Sequence, residues 1–146
     1  MIAIASDHGG FALKQEVMAH LRTAGTEFED LGTYTPESCD YPVYAEKVGR
    51  AVAAGEYELG ILICGTGIGV SIAANKIPGI RAALCSDCFS AEFTRRHNDA
   101  NILCLGGRVI GPELANRIVD TFLAASFEGG RHARRVAMIS GLEERE

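Results

Sequence analysis

Apolar runs and helix-like stretches alternate along the chain from its first residues. Met1–Ser6 is a short apolar run, and Phe11–Thr23 then repeats apolar positions at helical spacing. Leu59–Cys64 places apolar residues at consecutive positions, as a strand covered on both faces does. The whole pattern predicts strands at 1–6, 28–31, 59–64, 80–85 and 102–105. It also predicts helices at 11–23, 42–54, about 68–76, from a cap at 86 or 87 to 96, 112–127 and from about 132.

Five strands that alternate with helices predict a parallel sheet between two layers of helices. The expected fold is an α/β three-layer sandwich of Rossmann or flavodoxin-like type, a single domain over residues 1–146 with an extra C-terminal helix. That last helix has no strand to cross to, so we expect it to pack on a partner subunit. Ligands of such sheets bind beyond the carboxyl ends of the strands. The loops after the first, third and fifth strands are therefore the expected site.

The composition supports a folded domain, because 47% of the 146 residues are hydrophobic and only 23% are charged. No apolar run approaches the roughly 18 residues that a membrane helix needs. The first residues also lack the basic flank of a signal peptide. The sequence therefore predicts a cytoplasmic protein that does not bind a membrane.

The charged residues exclude one class of partner. The formal net charge is −5, and 11 of the 14 cationic residues are Arg, scattered without a long basic run. Arg suits bidentate recognition of carboxylate or phosphate, whereas nucleic-acid binding favours a continuous basic surface. We expect no nucleic acid as a partner, and a small anionic ligand stays open.

The five cysteines are an odd number, which argues against a disulfide framework. Cys85 and Cys88 form a C-x-x-C pair that could serve redox chemistry or half of a metal site. Because no second pair exists and this one follows an apolar run, packing at a strand end is the favoured interpretation. The histidines and cysteines show no metal-ligand spacing. We expect no metal.

The loop after the third predicted strand reads Cys64-Gly65-Thr66-Gly67-Ile68-Gly69. Alternate glycines let backbone N–H groups converge at the start of a helix and form an anion cradle, although such glycines often only permit tight packing. The spacing is neither the dinucleotide fingerprint nor a Walker loop. Cys64 favours a functional interpretation, since a thiolate at a helix start can act as base or nucleophile. The alternative is a small core residue.

Two further groups of polar residues lie at element ends. Asp7 and His8 follow the first strand and could act as acid and base or bind sugar hydroxyls, but Asp7 could also only cap the next helix. His97 and Asn98 end the fourth helix, where a histidine is often structural.

Arg131 and Arg135 begin the last helix and share one face of it. The helix dipole disfavours cations at this end, so an anion is needed to offset them, and phosphate fits. A solvated basic face is the alternative.

Together these segments make the chain resemble the ribose-5-phosphate isomerase type B family, which includes the galactose-6-phosphate isomerase subunits. The resemblance spans essentially the whole chain. It implies interconversion of ribose 5-phosphate and ribulose 5-phosphate without metal or cofactor. The segments that carry it, in this order, are Ser6–Gly10, Asp40–Pro42, Ile63–Gly69, Arg96–Asn98, Gly107–Arg108 and Gly129–His132.

The resemblance also implies catalytic roles. Cys64 is the base that moves a proton between C1 and C2 through a cis-enediolate, and Thr66 helps to stabilise the enediolate oxygens. His97, with Asp7 nearby, opens the furanose ring. One branch of the family lacks the cysteine and carries a glutamate at the position of Val70, so this chain resembles the cysteine branch.

The resemblance further implies a homodimer with composite sites, which could pair into a tetramer. The neighbouring subunit would supply His97, Asn98 and Arg108, while Tyr41 would line the pocket. His8, Arg131 and Arg135 would hold the phosphate. The full set of implied substrate-binding residues is His8, Tyr41, Gly65, Gly67, Ile68, Gly69, Asn98, Arg108, Arg131 and Arg135.

Two other functions stay open on the sequence. The same machinery could isomerise a hexose 6-phosphate of galactose or allose type, and motifs do not separate the two substrates. In the galactose branch two different chains usually share the site residues, whereas this chain carries all of them, which favours the ribose substrate. A non-catalytic phosphosugar-binding domain would keep the glycines and arginines but would not need Cys64, Thr66 and His97 together.

Overall fold

Five parallel strands form the centre of the molecule in the computed structural model, which describes residues 1–144. The strand order is β2-β1-β3-β5-β4, so β3 is central and β2 and β4 are the edges. The α/β sandwich expected from the sequence is confirmed. The strands are β1 (Ile2–Ser6), β2 (Phe28–Asp30), β3 (Leu59–Cys64), β4 (Ala82–Leu84) and β5 (Ile102–Gly106).

The helices follow the strands as expected, and an extra one ends the chain. Short 3-10 turns at His8–Gly10 and Leu142–Glu144 accompany them. No helix within residues 1–144 is long and apolar enough to cross a membrane. The helices are α1 (Phe11–Thr23), α2 (Tyr41–Ala53), α3 (Ile68–Ala74), α4 (Cys88–Asn98), α5 (Pro112–Ala124) and α6 (Arg131–Gly141).

The sheet is covered on both faces, which explains the consecutive apolar residues of its strands. In β1, Ile2 and Ile4 pack with α1, α4 and α5, while Ala3 and Ala5 pack with α2 and α3. Fully burying a side chain such as Ile4 stabilises the fold by about 1.5–3 kcal/mol. The apolar strands therefore hold a layer of helices on each face of the sheet.

Two elements, β4 and α5, are each three residues shorter than predicted, for local reasons. β4 begins only at Ala82, because the Arg81 N–H donates to the side-chain oxygen of Asn101 at 2.8 Å. α5 ends at Ala124 instead of continuing to residue 127, because Ala125 is extended, with φ −82° and ψ 151°. The Glu128 N–H then donates to a carbonyl at the end of α4. These changes bring the chain after α5 back toward α4.

α6 packs beside α4, and the 3-10 turn that follows α6 reaches the amino end of the sheet. The Glu143 carboxylate accepts the Gly79 N–H at 3.0 Å, and the Gly79 carbonyl accepts from the Asn101 amide at 2.8 Å. Asn101 directly precedes β5. The sheet therefore has polar groups at both ends, contributed by loops at its carboxyl end and by α4 and α6 at its amino end.

Candidate active site

Three loops meet beyond the carboxyl ends of β1, β3 and β5. The Gly107 N–H donates to the Cys64 carbonyl at 2.8 Å, and the Arg108 N–H donates to the Gly65 carbonyl at 2.9 Å. A Cβ on Gly9 would lie 3.1 Å from the Gly65 nitrogen, so glycine permits this approach. The three loops expected to carry the site therefore form one surface around Cys64.

Cys64 lies at the centre of this surface. Its side chain is 5% exposed, and its sulfur accepts a hydrogen bond from the Gly67 N–H at 3.2 Å. Gly67 takes a left-handed φ of 79°, a conformation that glycine adopts without strain. The loop thus aims a backbone donor at the sulfur, where it would stabilise negative charge.

Thr66 and Ile68 form a second internal bond in the same loop. The Thr66 hydroxyl oxygen accepts the Ile68 N–H at 3.2 Å, and Thr66 itself is exposed. The N–H groups of Gly67 and Ile68 are therefore already bonded within the loop. Fewer backbone N–H groups are free to bind a ligand than the alternating glycines suggest. The exposed Thr66 hydroxyl is therefore the stronger candidate as a donor to the ligand.

Asp7 and His8 sit beside Cys64 at the end of β1. Asp7 is 6% exposed, and its Oδ1 accepts the Gly10 N–H at 3.0 Å, so Asp7 does cap the turn that follows, as the alternative interpretation held. His8 Nδ1 accepts the Cys39 N–H at 3.2 Å. A ring nitrogen that accepts carries no proton, so neutral His8 has its proton on Nε2. A catalytic role for Asp7 stays a prediction.

Tyr41 begins α2 and covers the start of α3. A Cβ on Gly69 would lie 2.5 Å from Tyr41 Cε1, so only glycine leaves room for the ring. Tyr41 is 40% exposed, whereas the neighbouring Val70 is fully buried in the core. Tyr41 therefore lines the surface around Cys64, and Val70 does not reach it.

Arg108 reaches the surface around Cys64 of its own chain. A Cβ on Gly65 would lie 3.3 Å from Arg108 Nη1. The cause is the pairing of β5 with β3, in which Gly106 lies opposite Cys64 and carries the next loop directly to Gly65. Arg108 therefore lies beside Cys64 of its own chain, and its supply by a neighbouring subunit stays a prediction.

His97 and Asn98 lie at the other end of the sheet. They end α4, and the chain then enters β5 after three residues, whereas Cys64 pairs with Gly106 at the carboxyl end of β5. A five-residue strand spans about 16 Å. Within one chain, therefore, these two residues do not reach Cys64.

His97 instead contacts Glu128 and His132, for which no role was predicted. The two imidazole rings stack with centroids 4.0 Å apart and planes 9° apart. Glu128 Oε1 lies 3.7 Å from Nε2 of each histidine. Glu128 escaped prediction because it stands before Gly129 and Gly130, where the sequence shows only the end of a helix.

Arg131 and Arg135 begin α6 next to this group. Both are exposed, and neither pairs with a carboxylate of residues 1–143. In one chain they lie near His132 and His97, at the end of the sheet opposite Cys64 and His8. The predicted phosphate-binding residues are divided between the two ends of the sheet.

His97, Glu128 and His132 each offer one donor atom within 4.8 Å of the others, a set that could hold a metal ion. Sequence spacing does not reveal it. The surroundings favour an anion instead, because Arg96 donates to Glu128 at 2.6 Å and Arg131 adjoins His132. The absence of a metal remains an expectation.

Nearby charges set the ionisation of this group. Burial raises the pKa of Glu128, but the hydrogen bond from Arg96 and the charges of Arg96, His97 and His132 outweigh it and lower that pKa. Burial, followed by the charges of His97 and Arg131, lowers the pKa of His132, against the opposing charge of Glu128. Near neutral pH Glu128 is therefore ionised and His132 neutral.

Cys85 of the C-x-x-C pair lies in the core, and partly buried Cys88 packs against it. Cys85 is 2% exposed, and burial, with a smaller effect of Asp87, raises the pKa of Cys85 to about 11. Burial likewise raises the pKa of Cys104. All five cysteines are free thiols. Protonated buried thiols are unreactive, which agrees with the packing interpretation.

Comparison with known proteins identifies the family. Residues 2–139 match the family model described as Ribose/Galactose Isomerase. The chain belongs to this family. Ribose-5-phosphate isomerase B of Escherichia coli, a curated relative, is 56% identical over 144 residues, covering 99% of this chain and 97% of the relative.

Solved structures of this family share the fold. Ribose-5-phosphate isomerase B of Clostridium thermocellum superposes with a TM-score of 0.97 at 56% identity, covering 99% of this chain and 97% of that one. The enzyme of Mycoplasma genitalium with bound ribulose-5-phosphate gives a TM-score of 0.94 at 44% identity, with 99% and 97% covered. The family expected from the sequence motifs is confirmed.

Proposed function

We propose that this chain is an aldose–ketose isomerase that interconverts D-ribose 5-phosphate and D-ribulose 5-phosphate. Membership in the Ribose/Galactose Isomerase family and the relative from Escherichia coli support this substrate. The observation that carries the proposal is the buried Cys64 sulfur, which accepts the Gly67 N–H where three polar loops meet. One thiol among fixed donors suits removal of a proton next to a carbonyl.

Cys64 acts as the base. Its thiolate takes the C2 proton of the open-chain aldose, and the electron pair of that bond forms the C1–C2 double bond of a cis-enediolate. A proton passes from O2 to O1, and the thiol returns its proton to C1, so no proton is gained or lost. The Thr66 hydroxyl donates to the developing oxyanion, and such a donor contributes about 3–4 kcal/mol in comparable sites.

The remaining residues open and hold the sugar. His97 takes the O1 proton of the furanose and delivers it to the ring oxygen O4 as the C1–O4 bond breaks. Arg131 and Arg135, with the Nε2–H of His8, bind the phosphate. Binding the phosphate spends remote binding energy on placing C1 and C2 at the sulfur.

These steps need a second copy of the chain, because His97 and Cys64 lie at opposite ends of the sheet. A groove of about 370 Å³ runs along α4 and is lined by Leu84, Phe89 and His97. Leu84 and Phe89 are 40% and 71% exposed, and Leu84 also contacts the Cys64 loop at Gly67. Two-fold pairing along this groove joins the His97 end of each subunit to the Cys64 end of the other.

The proposed homodimer therefore has two composite sites. The first subunit contributes Cys64, His8 and Arg108. Its partner contributes the group at the amino end of its sheet, which comprises His97, Asn98, Arg131 and Arg135. The free cysteines and the absence of a disulfide among residues 1–144 support a cytoplasmic location for this enzyme.

Turnover of ribose 5-phosphate in the presence of EDTA tests the reaction and its base. We expect activity from the native chain and a loss of at least about 100-fold in Cys64→Ala. Cys104→Ala, which changes a buried cysteine on the neighbouring strand, is the control and keeps its activity. Full activity in Cys64→Ala overturns the base assignment. A native chain without turnover indicates a phosphosugar-binding domain, and faster turnover of a hexose 6-phosphate overturns the substrate.

Subunit exchange tests the composite sites. The Cys64→Ala homodimer lacks its base, and the His97→Ala homodimer is limited by spontaneous opening of the sugar ring, but a mixed dimer contains one site with both native residues. Random mixing then restores about a quarter of the native activity. Mixtures that remain inactive, although exchange is verified with a tagged subunit, contradict the shared site.

A further inference from the structure

Glu128 is held firmly where the chain returns from α5 to α4. Its Oε2 accepts Arg96 Nε–H at 2.6 Å, and its backbone N–H donates to the Arg96 carbonyl at 3.0 Å. Arg96 is in turn fixed by Glu92, which accepts from Nη1 at 2.8 Å. The carboxylate and the backbone N–H of Glu128 are thus both bonded to the last turns of α4. Oε1 is left facing the two stacked histidines.

Oε1 faces Nε2 of both rings, where it can accept a hydrogen bond from an imidazole N–H. It lies 3.7 Å from Nε2 of His97 and of His132, too far for a direct hydrogen bond. A modest rotation of one imidazole about its soft terminal torsion shortens one of these distances. The carboxylate can therefore hold one imidazole N–H at a time.

The surroundings of the two rings differ. Arg96, Arg131 and Arg135 face the pair with positive charge, and Glu92 lies behind Arg96. Stacked rings at 4.0 Å disfavour two imidazolium charges together. His132 is the more buried of the two, at 9% exposed, and it stays neutral as a flat support for His97. The His97 side chain is 35% exposed against 11% for His132, so His97 is the ring that a substrate can reach.

We propose that Glu128 is a positioning residue that fixes the orientation and tautomer of His97 for opening the sugar ring. With Nε2–H of His97 directed to Oε1, Nδ1 is the nitrogen free to accept the O1 proton and pass it to O4. The arrangement follows the logic by which a buried carboxylate orients a catalytic histidine in other enzymes. This inference rests on the proposed ring-opening role of His97.

Glu128→Gln, compared with Glu92→Gln, tests the inference. Both variants remove one carboxylate from Arg96, but only Glu128 faces the imidazoles. We expect Glu128→Gln to lower turnover of ribose 5-phosphate by about 10- to 100-fold, a part of what general acid–base catalysis contributes. Glu92→Gln keeps its activity within about threefold, since an exposed pair of this kind adds little.

The dependence of rate on enzyme concentration separates a ring-opening defect from general damage. An enzyme that cannot open the ring consumes the open-chain aldose and then waits for spontaneous opening. Its rate therefore reaches a plateau as enzyme is added, whereas a partly unfolded enzyme gives a low rate that still rises in proportion. Starting from ribulose 5-phosphate, which has no furanose ring to open, Glu128→Gln retains most of its kcat.

The rates of His97→Ala and Glu128→Gln at increasing enzyme concentration test the two roles separately. A plateau for both His97→Ala and Glu128→Gln supports the inference. A plateau for His97→Ala with a proportional rate for Glu128→Gln overturns it, as does equal activity of Glu128→Gln and Glu92→Gln. A proportional rate for His97→Ala shows that the ring-opening role in the proposed function is wrong. Glu128→Asp, which keeps the charge, should retain more activity than Glu128→Gln, and a Glu128→Asp less active than Glu128→Gln would contradict the role of the carboxylate.

Discussion

Lys14 and Asp30 form an ion pair beneath the loop that leads to Cys39 and Tyr41. Lys14 Nζ lies 2.7 Å from Asp30 Oδ1, and the side chain of Lys14 is fully buried while that of Asp30 is 23% exposed. Lys14 also donates to the Thr33 carbonyl. The pair therefore ties α1 to this loop and to the end of β2.

The unequal burial of this pair predicts unequal costs for its two halves. Asp30→Asn leaves the Lys14 ammonium buried without its counter-charge, and we expect a loss of about 3–5 kcal/mol in the free energy of unfolding. Lys14→Met leaves Asp30 able to reach water, so the loss is smaller. Urea unfolding measures both variants. A larger loss for Lys14→Met than for Asp30→Asn would contradict the burial of the Lys14 ammonium.

Alanine should cost more stability at Gly67 than at Gly25, although the two glycines have similar backbone conformations. Gly67 has φ 79° and would place a Cβ 2.5 Å from Leu84 Cδ1, whereas Gly25 has φ 74° and open space. Gly25→Ala should cost only the backbone strain of about 1–2 kcal/mol. Gly67→Ala adds a clash, so it unfolds at lower urea and also loses the bond to the Cys64 sulfur.

The same two variants should also differ in turnover of ribose 5-phosphate. Gly67→Ala shifts the N–H away from Cys64, so turnover falls even under conditions where the variant is fully folded. Gly25→Ala lies in the turn after α1 and keeps native turnover. Equal stability and equal turnover of the two variants would contradict the role of Gly67 in the loop.

The fold was predictable because its signals are local. Apolar spacing in Phe11–Thr23 and the apolar run Leu59–Cys64 report burial directly, and alternation of such segments leaves few topologies. The loop cluster followed from topology too, since parallel strands end at one edge. For this reason Asp7 and Cys64, far apart in sequence, were expected near each other.

The parts that escaped prediction depend on how distant backbone segments meet. Glu128 joins His97 only because Ala125 turns extended and the chain returns to Arg96. The bond from Cys39 to His8 depends on the path of an irregular loop. Neither signal exists in the spacing of residue types, and the same holds for the contact of Arg108 with its own Gly65.

Substitutions of Tyr41 and Gly69 should have coupled effects on stability. Gly69→Ala pushes a methyl group into the Tyr41 ring, and overpacking of this kind costs about 1–3 kcal/mol. Tyr41→Ala removes the ring and opens space for that methyl. In a double-mutant cycle the two changes should therefore cost less together than their sum, by at least about 0.5 kcal/mol. Additive losses in urea unfolding would show that the ring does not cover Gly69.

Cys85 predicts slow thiol chemistry. With a pKa of about 11, only about one Cys85 in a thousand is a thiolate at pH 8. Iodoacetamide followed by peptide mass spectrometry should label half-buried Cys39 first and Cys85 only after unfolding in urea. Cys85 labelling as fast as Cys39 in the folded protein, or a Cys85–Cys88 disulfide under mild oxidation, would instead support a redox role.

The exposed apolar residues along α4 predict how the subunits associate. Phe89 is 71% exposed in the groove beside β4, and Leu114 is 39% exposed on α5, away from that groove. Phe89→Asp places a charge in the proposed interface and should yield monomers in sedimentation analysis, with activity lost because His97 no longer reaches Cys64 of the partner. Leu114→Asp makes the same kind of change elsewhere and keeps both the dimer and its turnover. A monomeric Phe89→Asp that retains turnover would show that one chain completes the site alone.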